Sequence, residues 1–205
     1  MGDGMSLSRI TDPTSNCVKV VEAKEFLRIR GSTAEDYLFR SFIKISEDYA
    51  ENYMKRSIMP QQWRLKLDAI PADDVIELPR GPLSTVSTAV SNFSYYDSTN
   101  ATNAMPTTAY TVDDSDTIPR IYLAYDSYWP TGIRSHRDSI NIEYWTGYAD
   151  AVSVPEDIKT WVKLRVGAYY ENREAFMVGS GNFVTELPRS FVDGLLDNHV
   201  IMRVT

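Results

Sequence analysis

Apolar residues follow two different periods along this chain, and the switch between them divides it. Over residues 33–56, Leu38, Phe42, Ile45, Tyr49 and Tyr53 recur every three or four positions, the spacing that lines one face of a helix. The same period returns over residues 154–176. There Ile158, Trp161, Val162, Arg165, Val166 and Tyr169 share a face of a helix roughly 20 residues long. Pro155 suits the first turn, and Glu156 and Asp157 place negative charge at the positive end of the helix dipole. The two long helices are expected to cover one another. A shorter helix over residues 20–30, with Val21, Phe26 and Leu27 inward, is predicted to stop at Gly31. Ser32 and Glu35 then form a capping box for the next helix. Gly179, Ser180 and Gly181 end the long helical pattern. A last short helix is expected over residues 189–196, with Phe191, Val192, Leu195 and Leu196 buried.

Between these blocks the period drops to two. Residues 62–68 alternate strictly (Trp63, Leu65 and Leu67 against Arg64, Lys66 and Asp68), which predicts a strand with one covered face. Further strands are expected over residues 75–78, 83–97, 110–112, 120–123 and 139–145. They are separated by Pro79-Arg80-Gly81-Pro82, a polar loop over 98–106, and Asp/Ser-rich turns. The expected fold is α+β: a small helical bundle, discontinuous in sequence, with a β-rich insertion between the second and third helices. The boundaries that follow are a flexible leader at 1–17, a helical domain at 18–60 and 154–197, the insertion at 61–153, and a tail at 198–205.

Composition narrows the function. Of 205 residues, 43% are hydrophobic and 24% charged, which is ordinary for a globular chain with a proper core. The net charge of −7 argues against a sequence-independent binder of nucleic acid or of membrane, which needs clustered cations. Cys17 is the single cysteine, so no internal disulfide framework exists. No apolar run has the length of a bilayer span. Asn100-Ala101-Thr102 matches a glycosylation sequon, and without a secretion signal it is read as coincidence.

The candidate chemistry is thin. Ser135, His136 and Asp138 lie side by side, whereas a catalytic triad draws its groups from separate elements. Asp113, Asp114 and Asp116 lack the ligand spacing, central glycine and closing glutamate of a calcium loop and are read as a turn. Gly179-Ser180-Gly181 has no preceding strand or following Lys-Ser/Thr, so it is not a phosphate loop. Glu171, Arg173 and Glu174 read as a solvated helix face. No enzyme, cofactor or metal is expected. His199 is expected to be an exposed or interface residue of the apolar tail.

An ordered set of short segments resembles the head–tail connector (head-completion adaptor) proteins of long-tailed double-stranded-DNA bacteriophages and their prophage relatives. In chain order it begins with Glu22 to Arg28, then Tyr49-Ala50-Glu51-Asn52-Tyr53 and Pro60-Gln61-Gln62-Trp63-Arg64-Leu65. It continues through Ile76 to Val86, Tyr95-Tyr96-Asp97, Trp129-Pro130 and Tyr144-Trp145-Thr146-Gly147-Tyr148. Val154 to Lys159, Tyr169 to Glu174 and Leu187-Pro188 complete it. The order of the set, rather than any one segment, carries the likeness.

The resemblance implies a structural virion protein at the head–tail junction, present in host cytoplasm during assembly. It implies a ring, commonly of twelve subunits, that docks under the portal protein and extends the DNA channel without gripping DNA by sequence. The ring would offer an attachment surface to the next neck, stopper or tail protein. Portal binding is carried over by position to the tail: Asn198, His199, Val200, Ile201, Met202, Arg203, Val204 and Thr205. Four Trp and thirteen Tyr suit interfaces as well as cores. The competing readings are a tail-completion or tail-terminator ring protein and, further off, an enzyme with an unrecognised site.

Overall fold

In a computed structural model of the chain, residues 4–29, 33–171 and 194–201 are described. The fold is α+β, and the chain forms two compact units: Met1–Thr14 with Met59–Ala149, and Ser15–Ile58 with Asp150–Thr205.

The first unit is β. A five-stranded antiparallel sheet runs in the order β1 (Met5–Thr11), β2 (Gln61–Leu67), β8 (Ile140–Thr146), β4 (Val90–Tyr96), β5 (Thr102–Ala104). A three-stranded sheet runs β3 (Ile76–Glu77), β7 (Arg120–Leu123), β6 (Tyr110–Asp113). The alternation that predicts β2 is seen directly: Gln61, Trp63, Leu65 and Leu67 are buried, while Gln62, Arg64 and Lys66 are half-buried on the other face. Leu65 pairs in register with Ile142 of β8. Both sheets feed one core, in which Leu65, Ile76, Leu78, Ile121, Ile140, Ile142 and Tyr144 are sealed from solvent. On the polar face Arg64 binds Glu143 (2.7 Å) and Lys66 binds Asp138 (3.1 Å).

Three expectations are corrected in this unit. The leader is not flexible over Met5–Thr11, which forms β1 and pairs antiparallel with β2, Leu7 opposite Leu65. Its sequence is weakly patterned, and it is held by the backbone groups that β2 offers along that edge. The run predicted as one strand over 83–97 is a strand only from Val90, Leu83 making a single bridge to Thr146. The polar loop over 98–106 contains β5, because the Asp97 carboxylate closes the turn before it. Asp97 accepts from the Thr99 amide and hydroxyl (2.8 and 2.6 Å), the Ala101 amide (3.0 Å) and the Asn103 side chain (2.9 Å). These donors, the Thr99 hydroxyl foremost, hold its pKa down at about 2. Because the carboxylate is more acidic folded than unfolded, its contribution is in full above the ordinary Asp range and fades as pH falls toward 2. In Asp97→Ala, exchange of the Thr99 and Ala101 amides should become faster at neutral pH, as measured by hydrogen exchange. Unchanged protection would show that the turn does not depend on the carboxylate.

The second unit is helical: α1 (Val20–Phe26), α2 (Asp36–Met54), α3 (Glu156–Glu171) and α4 (Gly194–Asp197). As expected, α2 and α3 cover each other. Phe39 meets Tyr170 (ring centroids 5.0 Å apart), Phe42 stacks on Tyr169 (5.8 Å), and Tyr49 stacks on Trp161 (5.6 Å). Ile158, Trp161, Val162 and Val166 are buried as the spacing predicts. Arg165 and Tyr169 are half-buried.

The inward face of α2 differs from expectation. Phe39, Ile43, Ser46, Glu47, Ala50, Glu51 and Met54 are buried, a set displaced by one residue, about 100° around the helix, from the predicted stripe. Polar residues belong to the core here, so counting apolar side chains misplaces the face. Glu47 accepts from the Cys17 amide (2.6 Å) and the Asn16 side chain (2.5 Å), and Glu51 accepts from the Ile58 amide (2.7 Å). One turn apart, the two carboxylates fix the chain where it enters and leaves the α1–α2 segment. On α1, Val21 and Phe26 face outward rather than in, and Ala23 is the buried residue. The helix is opened by Glu22, which accepts from the Lys19 amide (3.1 Å). The Ser32 half of the predicted capping box, the Gly31 stop, the Gly179–Gly181 break, Arg173, Glu174, Phe191 and Val192 lie outside the described residues. Glu35 instead accepts from the Tyr170 hydroxyl (3.1 Å). Leu196 is fully buried, as expected.

Burial raises the Glu47 pKa above the ordinary glutamate value, more than the bonds from Cys17 and Asn16 lower it. The folded chain thus holds this proton to higher pH than the unfolded chain does. Its contribution favours folding most in acid and declines as pH rises through the folded-state pKa. Glu47→Gln should flatten that segment of the stability profile in denaturant titrations at several pH values. Glu47→Ala should cost about 1–3 kcal/mol, since it strands buried donors. Wild-type stability in the Ala variant would contradict the anchoring role.

Candidate functional site

The residues with the most reactive chemistry are each engaged in local structure. In the Ser135–Ser139 loop, the His136 ring lies against the Arg137 carbonyl (3.2 Å), and the Ser139 hydroxyl donates to the His136 carbonyl (2.6 Å). Asp138 is paired with Lys66, so no serine–histidine–aspartate relay forms. Asp113 accepts from the Ser115 amide (3.0 Å) and hydroxyl (2.6 Å), which hold its pKa below the usual carboxylate range. Asp116 pairs with Arg120 (3.0 Å). The acidic run is a turn. Among the described residues no group of three His, Cys, Asp or Glu could hold a metal ion. Cys17 is buried, and burial, then the neighbouring Glu47, push its thiol far up, so it stays protonated and unreactive. No described helix is long and apolar enough to cross a membrane.

What the helical unit does carry is an aromatic and arginine surface. The stripe expected to be the core of α2 is the one left partly open: Ile45 is 52% exposed and Tyr49 43%, and Tyr37 adds 66% at the helix start. Behind them runs a continuous stack. Tyr53 lies on Tyr49 (6.5 Å), Tyr49 on Trp161, and the Arg165 guanidinium sits between Tyr49 (5.2 Å) and Tyr169 (5.3 Å). Rigid aromatics and Arg, with their flat faces already ordered, are the side chains that protein interfaces favour. In the β unit, Tyr125 is fully exposed and Tyr128 and Val86 are largely so, all three in connecting segments. Sequence spacing could not find the α2 surface, because it assigned Ile45 and Tyr49 to the interior.

Part of the tail is fixed to its own unit. His199 Nε2 lies 2.6 Å from an Asp157 carboxylate oxygen in the first turn of α3. The Ile201 amide donates to the Met54 carbonyl at the end of α2 (3.0 Å). Asn198 is exposed, and His199, Val200 and Ile201 are half-buried. Met202, Arg203, Val204 and Thr205 lie outside the described residues.

No family model matches the chain, and no curated protein matches it. Solved structures do. Its fold is similar to a chain in the neck of an empty gene transfer agent (GTA) particle computed with C6 symmetry. The TM-score is 0.76 at 21% identity, over 98% of this chain and 97% of that one. A chain in the virion of a native GTA particle matches with TM-score 0.73 at 22% identity, over 97% of each. A chain in the neck of a native GTA particle computed with C12 symmetry matches with TM-score 0.73 at 19% identity, over 98% and 97%.

Proposed function

We propose that this chain is a structural subunit of the neck of a phage-like particle, an adaptor that forms a ring beneath the portal. The observation that carries the reading is the end-to-end likeness of its fold to chains of gene transfer agent necks and virions. Rings of twelve suit that comparison, in which one neck was computed with C12 symmetry. In this reading the chain has no catalytic role. Its partners are further copies of itself, the portal protein, and the next neck, stopper or tail protein, and DNA passes through the channel without sequence-specific contact. The net charge of −7 is compatible with a conduit that does not hold its cargo. Its place is the head–tail junction of the virion, reached from the host cytoplasm during assembly.

The residues proposed to meet the portal are Asn198 to Thr205. Within this stretch the bonds of His199 to Asp157 and of Ile201 to Met54 hold residues 199 and 201 to the helical unit. Deleting residues 202–205 leaves both bonds in place. The truncated chain should keep its fold by circular dichroism and fail to attach to portal-bearing heads in a co-sedimentation assay. Attachment at the full-length level would exclude residues 202–205 as the docking element and favour a tail-terminator or tail-completion role.

A further inference from the structure

The charges that α1 and α2 turn to solvent are segregated by sign. The exposed residues of α1 are Val21, Glu22, Glu25 and Phe26, two apolar and two acidic. Its one cation, Lys24, is half-buried and paired with Asp36. The exposed residues of α2 are Tyr37, Arg40, Ser41, Lys44, Ile45, Tyr49 and Asn52. Both exposed charges there are cations, while Asp36, Glu47, Asp48 and Glu51 are buried or half-buried. Lys163 of α3 lies over the Phe26 ring (5.9 Å) at the edge of this face, and Glu22 and Glu25 are the exposed charges of α1 itself.

Each helix therefore offers a large apolar pair or trio beside two like charges, and the two sets are complementary in sign. Val21 and Phe26, 63% and 45% exposed, are matched by Tyr37, Ile45 and Tyr49. In a closed ring each copy gives one surface and receives another, and complementary patches on two different helices can supply that pair, one copy's first surface meeting the next copy's second. We infer that the α1 face (Val21, Glu22, Glu25, Phe26) of one copy docks on the α2 face (Tyr37, Arg40, Lys44, Ile45, Tyr49) of a second copy of this chain. The inference rests on the ring reading above and gives that ring its subunit contact.

The test is disulfide trapping in assembled particles. A full-length chain carrying Glu25→Cys and Lys44→Cys is oxidised and run without reductant; the native Cys17 is buried and does not compete. A ladder of dimers, trimers and higher species is expected from the double variant, and monomer alone from each single variant. Single-variant dimers, or a double variant that stops at dimer, would indicate a self-paired contact and overturn the inference. Incorporation at the wild-type copy number without a ladder would also overturn it, while leaving the ring reading intact. Absence of the wild-type chain from particles would instead remove the ring reading. A second measurement is independent of oxidation. Arg40→Glu with Lys44→Glu should lower incorporation at least about tenfold through like-charge apposition, and adding Glu22→Lys with Glu25→Lys should restore it. Failure of the fourfold swap to restore incorporation, with circular dichroism unchanged, would overturn the pairing.

Discussion

Trp161→Ala should be among the most destabilising single changes in the helical unit, at about 3–5 kcal/mol. Trp161 is sealed from solvent at the centre of α3, stacked on Tyr49 of α2. Its ring nitrogen is buried and makes no hydrogen bond among the described residues, so the side chain acts by volume and surface alone. Trp161→Phe, which keeps an aromatic ring and leaves a smaller cavity, should cost clearly less than Trp161→Ala. For a chain of this size the Ala variant should melt roughly 6–20 °C lower. A near-wild-type melting temperature for Trp161→Ala would mean that the α2–α3 seam is not the core of this unit. Equal losses for Ala and Phe would point to a polar role that no contact among the described residues supplies.

Gly147→Ala should cost the β unit at least about 3 kcal/mol, from backbone strain and steric overlap together. Gly147 follows β8 with φ +106°, a conformation that side chains resist. Its amide donates to the Pro82 carbonyl (2.8 Å). A Cβ there would stand 2.3 Å from the Met59 carbonyl oxygen, a backbone atom that cannot swing aside. Gly132 supplies the control: it also has positive φ (+84°), but nothing lies within 4 Å of an added Cβ. Gly132→Ala should therefore lose only the backbone term, about 1 kcal/mol. Chemical denaturation of the two variants should separate them by about 2 kcal/mol or more. Equal losses would show that the Met59 contact does not constrain the turn.

The order of elements was legible because two periods dominate the chain. Alternation at Trp63, Leu65 and Leu67 required a half-covered strand, and the Ile158–Trp161–Val162–Val166 spacing required a buried helix face. Errors fell where non-local partners decide. Nothing in Met5–Thr11 distinguishes a leader from an edge strand until β2 lies beside it. The α2 face was misplaced because Glu47 and Glu51 count as polar in sequence yet are satisfied inside by amides of Cys17 and Ile58. Correcting that rotation moves Ile45 and Tyr49 from the core to the surface. In the Ser98–Pro106 stretch the strand depends on the Asp97 turn rather than on any apolar pattern. The tail position of His199 predicts an exposed or interface residue; its bond to Asp157 joins groups 42 positions apart, which no local pattern encodes.

The proposed neck role is tested most directly by where the protein is found and how many copies are there. Quantitative mass spectrometry of purified particles, tailed and tailless, measures both against the portal protein. A copy number equal to that of the portal in tailed particles is the expected result. Absence of the chain from both kinds of particle would contradict the adaptor assignment.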